Sequence, residues 1–265
     1  MGGYAEEKAL LQTALSQAAA DAGRAEIYWR LSRATLNVAD SGFNAKRINT
    51  DQALKLFEEG EGYADQAIKL APNNPQGYFW KSSNMGMWGQ TKGIFDSLGK
   101  AAPMNDNLRL ALKQDRNFAD AFYVLGELFE KLPGWPISFG NVDYSVSLGR
   151  KNIDLMEAQV ASGKMRGHNY ASYIALANHL WVRNWDARRR ERAQTDMKRQ
   201  YKAKKDYVEQ QYFYEGNVTL KNMSDREEAR DLLRFVIREL EAKADRTAGN
   251  NGDLQEARKK LAEYK

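Results

Sequence analysis

The sequence contains no cysteine and only two histidines, and these absences exclude several kinds of site. Without cysteine there are no disulfide bonds and no thiolate ligands for a structural metal. His168 and His179 are too few and wrongly spaced for a zinc site without cysteines. We expect His168 in a loop and His179 on the surface of a helix. The sequence therefore predicts no bound metal.

Long apolar runs and catalytic motifs are lacking as well. No apolar stretch reaches the roughly 18 residues that a membrane-spanning helix needs. The segment from Gly93 to Lys100 resembles a phosphate-binding loop only superficially, because Ala101 replaces the hydroxyl residue that would hold magnesium. No nucleophile is accompanied by a plausible base. We therefore predict that the protein is not an enzyme and uses no cofactor.

Helix-forming residues dominate what is present. The chain has five prolines in 265 residues, and its apolar residues recur at intervals of three and four. This spacing predicts, among others, a helix from Thr50 to Leu70 with Thr50 as its N-cap. Ser224 and Glu227 form a capping box ahead of the most regular amphipathic helix. The composition and the spacing together predict an all-α protein.

Two patterns indicate helical repeats. Residues 122–129 place Phe, Leu, Gly and Phe at the spacing of the first helix of a tetratricopeptide repeat, where Gly126 lets a neighbouring helix approach. Residues 67–75 form an Ala-Ile-Lys-Leu-Ala-Pro-Asn-Asn-Pro junction, which closes one repeat and begins the next. We predict tetratricopeptide-like helical hairpins forming an α-solenoid, with one repeat domain over residues 1–265.

Aromatic residues beside glycine and proline form the main candidate binding surface. Residues 117–141 begin as a helix that breaks at the Pro-Gly-Trp-Pro segment 133–136, and residues 86–99 are predicted to be a second irregular segment. Loops at one edge of a solenoid often bind partners, although most aromatic residues of repeat proteins are wedges between helices. The candidate ligand- or partner-binding residues, with the polar residue expected to orient a ligand, are Tyr78, Trp80, Asn84, Trp88, Trp135 and Phe139.

A long basic helix is predicted over residues 186–215. From Arg183 to Lys205 the chain has ten lysines or arginines and three acidic residues. Such a stripe can bind phosphates of nucleic acid or of a membrane surface, but it is also typical of a solvated helix face with charges paired at helical spacing. Both interpretations stay open, and nucleic acid is not the expected partner. The candidate basic patch comprises Arg188, Arg189, Arg190, Arg192, Lys198 and Arg199.

Three segments together resemble a transporter family. Residues 67–80, 111–115 and 125–141 resemble the T component of tripartite ATP-independent periplasmic (TRAP) transporters, which joins degenerate tetratricopeptide repeats to a loop of the Leu-Gly, Pro-Gly-x-Pro and Phe-Gly type. The first part of the chain is also similar to the regulators of microtubule dynamics. That second family shares the Pro-Asn-x-Pro junction followed by an aromatic helix.

The resemblance to the transporter component implies a location and partners. It implies a periplasmic, non-enzymatic protein tethered to the membrane as a lipoprotein, with its leader absent from this chain. It also implies association with the solute-binding component of the transporter, binding of a small hydrophobic ligand and formation of a homo-oligomer. The long basic helix departs from that family's pattern, and a general protein-protein scaffold is the alternative.

Overall fold

The computed structural model describes residues 3–216 and 222–265, and every regular element within them is helical. Contacts between Cα atoms divide the chain into two compact units, Met1–Arg116 and Asn117–Lys265. We describe each unit by itself, where the sequence predicted one repeat domain over residues 1–265. Among the helices of the described residues, none combines the length and the apolar character that a membrane crossing requires.

The first unit consists of helices that pack in pairs adjacent in sequence, α1 on α2, α2 on α3, α3 on α4 and α4 on α5. Part of its core is formed by Ala39, Ala53 and Phe57, against which the side chain of Trp88 packs. In the described residues the helices are α1 (Gly3–Gln17), α2 (Asp21–Asn44), α3 (Thr50–Leu70), α4 (Pro75–Lys92) and α5 (Leu98–Gln114), with a 3-10 turn at Phe95–Ser97.

The second unit begins with the same sequential packing, α6 on α7 and α7 on α8. Helix α8 also packs against α11 and α12, so that few of its faces reach solvent. In the described residues the helices are α6 (Ala119–Lys131), α7 (Val142–Ala161), α8 (Tyr170–Arg183), α9 (Ala187–Ala203), α10 (Tyr207–Gln211), α11 (Asp225–Glu241) and α12 (Ala248–Glu263).

This packing of sequence-adjacent helices confirms the predicted fold class, an all-α protein of helical-hairpin repeats of the solenoid type. The predicted close approach at Gly126 is also confirmed. A Cβ atom on Gly126 would lie 3.3 Å from Nε2 of His179 and 3.4 Å from the backbone oxygen of Ser145. The glycine therefore lets α7 and α8 approach the backbone of α6.

Helix ends follow the chemistry of their caps. The hydroxyl of Ser224 accepts a hydrogen bond from the backbone N–H of Glu227, which confirms the predicted capping box of α11. Helix α3 begins at Thr50 as predicted, but its N-cap is Asn49. Asn49 has an extended backbone, and its side chain and that of Gln52 form a reciprocal capping box.

The predicted irregular segment at residues 86–99 is largely helical, because α4 continues to Lys92. Trp88 therefore lies in a helix and not in a loop. A Cβ atom on Gly86 would lie 3.0 Å from Cε of Met104, and one on Gly89 would lie 3.1 Å from Oγ of Ser97. These glycines make room for neighbouring side chains and do not end the helix.

The basic helix predicted over residues 186–215 ends at Ala203. Lys204 adopts an extended backbone, with ψ at 130°, and does not continue the helix. The carboxylate of Asp206 then accepts hydrogen bonds of 3.0 Å from the backbone N–H groups of Val208 and Glu209, which caps the short helix α10. Local capping therefore divides the predicted long helix into two.

Asn84 joins α4 to α2 inside the first unit, where it is fully buried. Its amide Nδ2 donates hydrogen bonds to the hydroxyl of Ser32 at 3.0 Å and to the backbone oxygen of Trp80 at 2.9 Å. The structure contradicts the prediction that Asn84 orients a ligand at an aromatic surface. The side chain is polar because it bonds between helices, and not because it faces a binding site.

Gly60 of α3 should not tolerate a side chain, whereas Gly62 of the same helix should. A Cβ atom on Gly60 would lie 2.1 Å from Oδ1 of Asn84, and displacing Asn84 would break its buried hydrogen bonds. We expect Gly60→Ala to lower the free energy of unfolding by about 2 kcal/mol. The control Gly62→Ala enters open space and should raise it by up to about 1 kcal/mol.

Urea unfolding followed by circular dichroism measures both variants. Equal effects of the two substitutions would show that the Asn84 contact does not restrict Gly60.

Candidate functional site

The loop between α6 and α7 is held by hydrogen bonds at both of its ends. The backbone N–H of Asn141 donates to the oxygen of Phe129 at 2.8 Å, and that of Gly140 donates to the oxygen of Pro133 at 3.0 Å. Within the loop, the N–H of Ile137 donates to the oxygen of Gly134 at 3.1 Å. These bonds give residues 133–139, which we call the aromatic loop, a defined backbone conformation.

Phe139 anchors the aromatic loop to the second unit. Its ring lies edge-on to that of Phe129, with 5.6 Å between the ring centroids. Phe129 also contacts Tyr144 and Tyr212, whose rings stack with their centroids 4.7 Å apart. Phe139 is therefore partly buried in an aromatic cluster, where it contributes to holding the loop in place.

Trp135 has the opposite environment, although it lies only four positions before Phe139. Its side chain is 90% exposed, and Ile137 beside it is 63% exposed. An exposed tryptophan on a loop with fixed ends is unusual, because its large apolar ring gains nothing from the fold and remains in contact with water. The aromatic loop therefore presents two apolar side chains to solvent.

The other predicted aromatic residues belong to α4 of the first unit, and their polar atoms are already bonded. Nε1 of Trp80 donates to Oε1 of Gln76 at 3.1 Å. Nε1 of Trp88 donates to Oε1 of Glu58 at 3.0 Å, and Nζ of Lys100 lies 4.9 Å from the centre of the Trp88 ring. Tyr78 is partly buried on the same helix. Their side chains are therefore largely used within the first unit.

A buried ionic cluster joins four helices of the second unit. Its members are Arg150 of α7, Arg183 of α8, Arg190 of α9, and Asp225 and Glu228 of α11. Each of these residues is at most 9% exposed. Arg150 binds Glu228 through two hydrogen bonds of 2.6 and 2.7 Å, and Arg183 binds Asp225 through two of 2.8 and 2.7 Å.

Arg190 completes the ionic cluster by contacting both carboxylates. Its Nη2 donates to Glu228, and its Nε lies 3.5 Å from Oδ1 of Asp225. Burial alone would raise the pKa of Glu228, but the charges and hydrogen bonds of Arg150 and Arg190 outweigh it and hold the pKa below its usual value. Glu228 therefore stays ionised between two guanidinium groups.

The structure separates the six residues of the predicted basic patch. Arg190 was expected at the surface but is buried, because it faces inward from α9 toward the carboxylates of α11. The guanidinium of Arg189 lies 4.7 Å from the centre of the Trp185 ring. Arg199 pairs with Asp196, and Nζ of Lys198 lies 3.4 Å from Glu215. The five patch residues with exposed side chains are Arg188, Arg189, Arg192, Lys198 and Arg199.

His179 was expected on a helix surface, but only 1% of its side chain is exposed. Its Nδ1 lies 2.6 Å from Oε2 of Glu130, which also accepts hydrogen bonds of 2.8 and 2.9 Å from Nδ2 of Asn178. The reason is that α8 is packed on several faces at once. His168 lies in the loop before α8, as predicted.

Glu127, Glu130 and His179 place one potential ligand atom each within 4.8 Å of one another, close enough for one metal ion. Each carboxylate already has a partner in the protein. Glu127 pairs with Lys131 at 3.0 Å, and Glu130 bonds to His179 and Asn178. Burial alone would raise the pKa of Glu130, but its bonds to His179 and Asn178 hold it below the usual value. The group is satisfied as an ion pair between α6 and α8, and the absence of a metal stays a prediction.

A polar cleft of about 270 Å³ lies between α6, α8 and α12. Its charged groups are mostly paired with one another, since Glu127 pairs with Lys131, and Lys260 donates to Oδ1 of Asn178 at 3.1 Å. Burial, together with nearby carboxylates, raises the pKa of Tyr123 well above its ordinary value. The cleft therefore holds a neutral tyrosine and internally paired charges, and it lacks the apolar lining typical of a small-molecule site.

Sequence reasoning missed the ionic cluster because its partners are far apart along the chain. Arg150 and Glu228 are separated by 78 positions, and Arg183 and Asp225 by 42. No local spacing indicates such pairs. The available signal was Asp225 directly after the N-cap Ser224, where an acidic residue is ordinarily explained by the helix dipole.

Comparison with known proteins relates the first part of the chain to one family. A family model described as "Regulator of microtubule dynamics protein 1-3" matches residues 1–129. The match covers 129 of 265 residues and ends inside α6. No curated protein matches the chain.

This match corrects the family expected from the sequence. The resemblance to the T component of TRAP transporters is wrong, since the matching family is that of the regulators of microtubule dynamics. Degenerate tetratricopeptide-like scaffolds share the Leu-Gly spacing and the proline junctions on which the transporter resemblance depended. The similarity of the first part to the regulators of microtubule dynamics is the one that the comparison supports.

Replacing Glu228 by glutamine should destabilise the protein by about 3 kcal/mol near neutral pH, because Arg150 and Arg190 would stay buried without a counter-charge. The folded pKa of Glu228 is depressed. Its contribution is therefore present above the unfolded pKa of about 4.5 and is lost as the pH falls through the folded value. Glu228→Gln should accordingly lose less stability than the wild type between about pH 7 and pH 3.

Chemical unfolding at a series of pH values measures this effect. The control Arg199→Ala removes an exposed ion pair with Asp196 and should change the unfolding free energy by less than about 0.5 kcal/mol. Parallel pH profiles for Glu228→Gln and the wild type would contradict the assignment.

Proposed function

We propose that this chain is a non-enzymatic helical-repeat protein that binds a partner protein through the aromatic loop. The observation that carries the proposal is the 90% exposure of Trp135 in a loop with hydrogen bonds at both ends. Tryptophan is enriched among the residues that dominate binding energies at protein interfaces, since its large ring fills a pocket on the partner. Ile137 extends the apolar contact area.

The fixed conformation of the loop supports this role. A segment that is ordered before binding loses less conformational entropy when the complex forms, and this improves affinity without additional contacts. The aromatic loop has such order, because Phe139 is packed against Phe129 and the backbone at Pro133 and Phe129 accepts hydrogen bonds from the loop's far end. Trp135 is therefore presented in a position that a complementary pocket can recognise.

A small hydrophobic ligand is not part of the proposal. The residues expected to line such a site on α4 are bonded within the first unit, Asn84 to Ser32 and Trp88 to Glu58. The periplasmic and lipoprotein location and the solute-binding partner were implied only by the transporter resemblance, which is wrong. Self-association through the aromatic loop is retained as one outcome of the test below.

The family match suggests a second candidate function, regulation of microtubule dynamics. Its support is the printed description of the family that matches residues 1–129. In this case the first unit would supply the contact with the microtubule.

Trp135→Ala should weaken binding of the partner about 30-fold or more, which corresponds to a loss of about 2 kcal/mol. The free energy of unfolding should change by less than about 0.5 kcal/mol, because the side chain makes little contact with the rest of the fold. The partner is first identified by a photoreactive amino acid at position 137 in cells of the source organism, and affinity is then measured with the purified pair. Val182→Ala is the control, since Val182 is 53% exposed on α8.

A Trp135→Ala protein that unfolds would assign the ring to the fold and not to binding. Unchanged affinity with an intact fold would remove the aromatic loop from the interface. Cross-linking to a second copy of the chain would assign the loop to self-association.

Sedimentation of the full chain with polymerised tubulin tests the second candidate. If the proposal is right, the chain should appear in the pellet in proportion to the polymer and should change the rates of microtubule growth or shrinkage. A chain that stays in the supernatant at all tubulin concentrations would exclude this candidate and leave the aromatic-loop proposal intact.

A further inference from the structure

Helix α9 has two distinct faces. Arg190 is its one buried residue among the described side chains, and Met197 and Tyr201 lie on the same side of the helix and are partly buried. At about 100° per residue these three positions fall within about 40° of one another around the helix axis. The contact of Arg190 with Asp225 and Glu228 therefore fixes which side of α9 faces inward.

The opposite side of α9 is a continuous cationic stripe. Four of its five positions are Lys or Arg, all five side chains are exposed, and they lie within about 80° of one another around the axis. From the first position to the last the stripe extends about 21 Å. We call this surface the outer stripe, and it comprises Arg188, Arg192, Thr195, Arg199 and Lys202.

Most cations of the outer stripe are available to a partner. Arg188, Arg192 and Lys202 form no ion pair within residues 3–216 and 222–265. Arg199 pairs with Asp196, but its side chain is 75% exposed, so that this pair is weak and easily exchanged. The outer stripe therefore has a strong local field that the fold does not neutralise.

Acidic residues border the outer stripe on both sides. Glu191 lies about 20° beyond Lys202 on one edge, and Asp196 lies about 40° beyond Arg192 on the other. Both side chains are exposed. The surface of α9 therefore has a narrow band of positive charge between two negative edges.

We propose that the outer stripe of α9 docks an acidic amphipathic helix of a partner protein. A helix with carboxylates in one band and lysines or arginines at its edges complements all three bands of α9 when the two axes are nearly parallel. The contact concerns a surface other than the aromatic loop and does not depend on that proposal.

The acidic borders favour a helix over a polyanion. A nucleic-acid backbone or an anionic lipid surface is negatively charged throughout, and would place its phosphates against Glu191 and Asp196 as well as against the arginines. The outer stripe also has no aromatic side chain on which bases could stack and no apolar side chain to insert into a bilayer. The charge pattern therefore fits a partner that is acidic along one narrow line.

Two synthetic helical peptides of the same composition test the proposal with the full chain. One has four glutamates at i, i+4, i+11 and i+14 with lysines on both flanks, and the other has the same residues distributed around the helix. We expect the striped peptide to bind about 10-fold more tightly at low salt, measured by fluorescence anisotropy, and the difference to decrease as salt is added.

Charge-reversal variants locate the contact. Arg188→Glu, Arg192→Glu and Lys202→Glu together should weaken binding of the striped peptide about 10-fold or more. The matched control reverses Lys55, Lys69 and Lys113, which are exposed in the first unit, and changes the net charge equally while leaving the affinity within about 2-fold. Circular dichroism of both variants verifies that the helices are retained.

Three results would overturn the proposal. Equal affinities for the two peptides would show that only net charge matters. An equal loss in the control variant would place the contact elsewhere. Tighter, stripe-dependent binding of a DNA duplex or of phosphatidylserine vesicles would identify a phosphate surface as the partner.

Discussion

The buried ionic cluster is the constraint on which the arrangement of the second unit depends. A buried charge is costly unless an opposite charge and well-directed hydrogen bonds accompany it. Arg150 and Arg183 each meet a carboxylate of α11 through two hydrogen bonds, which fix both distance and direction. Apolar contacts between the same helices are far less directional. The cluster therefore specifies how α7, α8 and α9 are placed against α11.

The cluster also determines what α9 presents to solvent. Arg190 contacts Asp225 and Glu228 at the same time, and this double contact sets the rotation of α9 about its axis. Once Arg190 faces inward, helical geometry places Arg188, Arg192 and Lys202 on the outer side. A basic helix that looks uniform in the sequence thus has one cation with a structural role and a band of cations with no role in the fold.

Local features of the fold were predictable from the sequence, because they depend on residues within one or two helical turns. The capping box of α11 and the close approach at Gly126 are examples. The position of Trp88 was not predictable, since a glycine can either end a helix or make room for a neighbouring side chain. Gly86 and Gly89 do the latter, which is evident only when Met104 and Ser97 are seen beside them.

Non-local pairing was the larger gap, and it affects the candidate sites directly. The burial of His179 and of Arg190 follows from carboxylates on other helices, at positions that no local pattern connects to them. The expectation for the aromatic loop fared differently, because proline and glycine at 133–136 end α6 by a local mechanism. What the sequence could not assign is the division of labour within that loop.

The division within the aromatic loop is a consequence of which residue the neighbouring helices can accept. Phe139 lies next to the hydrogen bonds that close the loop, and there its ring reaches Phe129 and enters the aromatic cluster. Trp135 lies at the loop's far side, where the backbone bonds between Gly134 and Ile137 turn the chain outward. The same bonds that stabilise the loop therefore keep the indole in water, and only a partner can remove it from there.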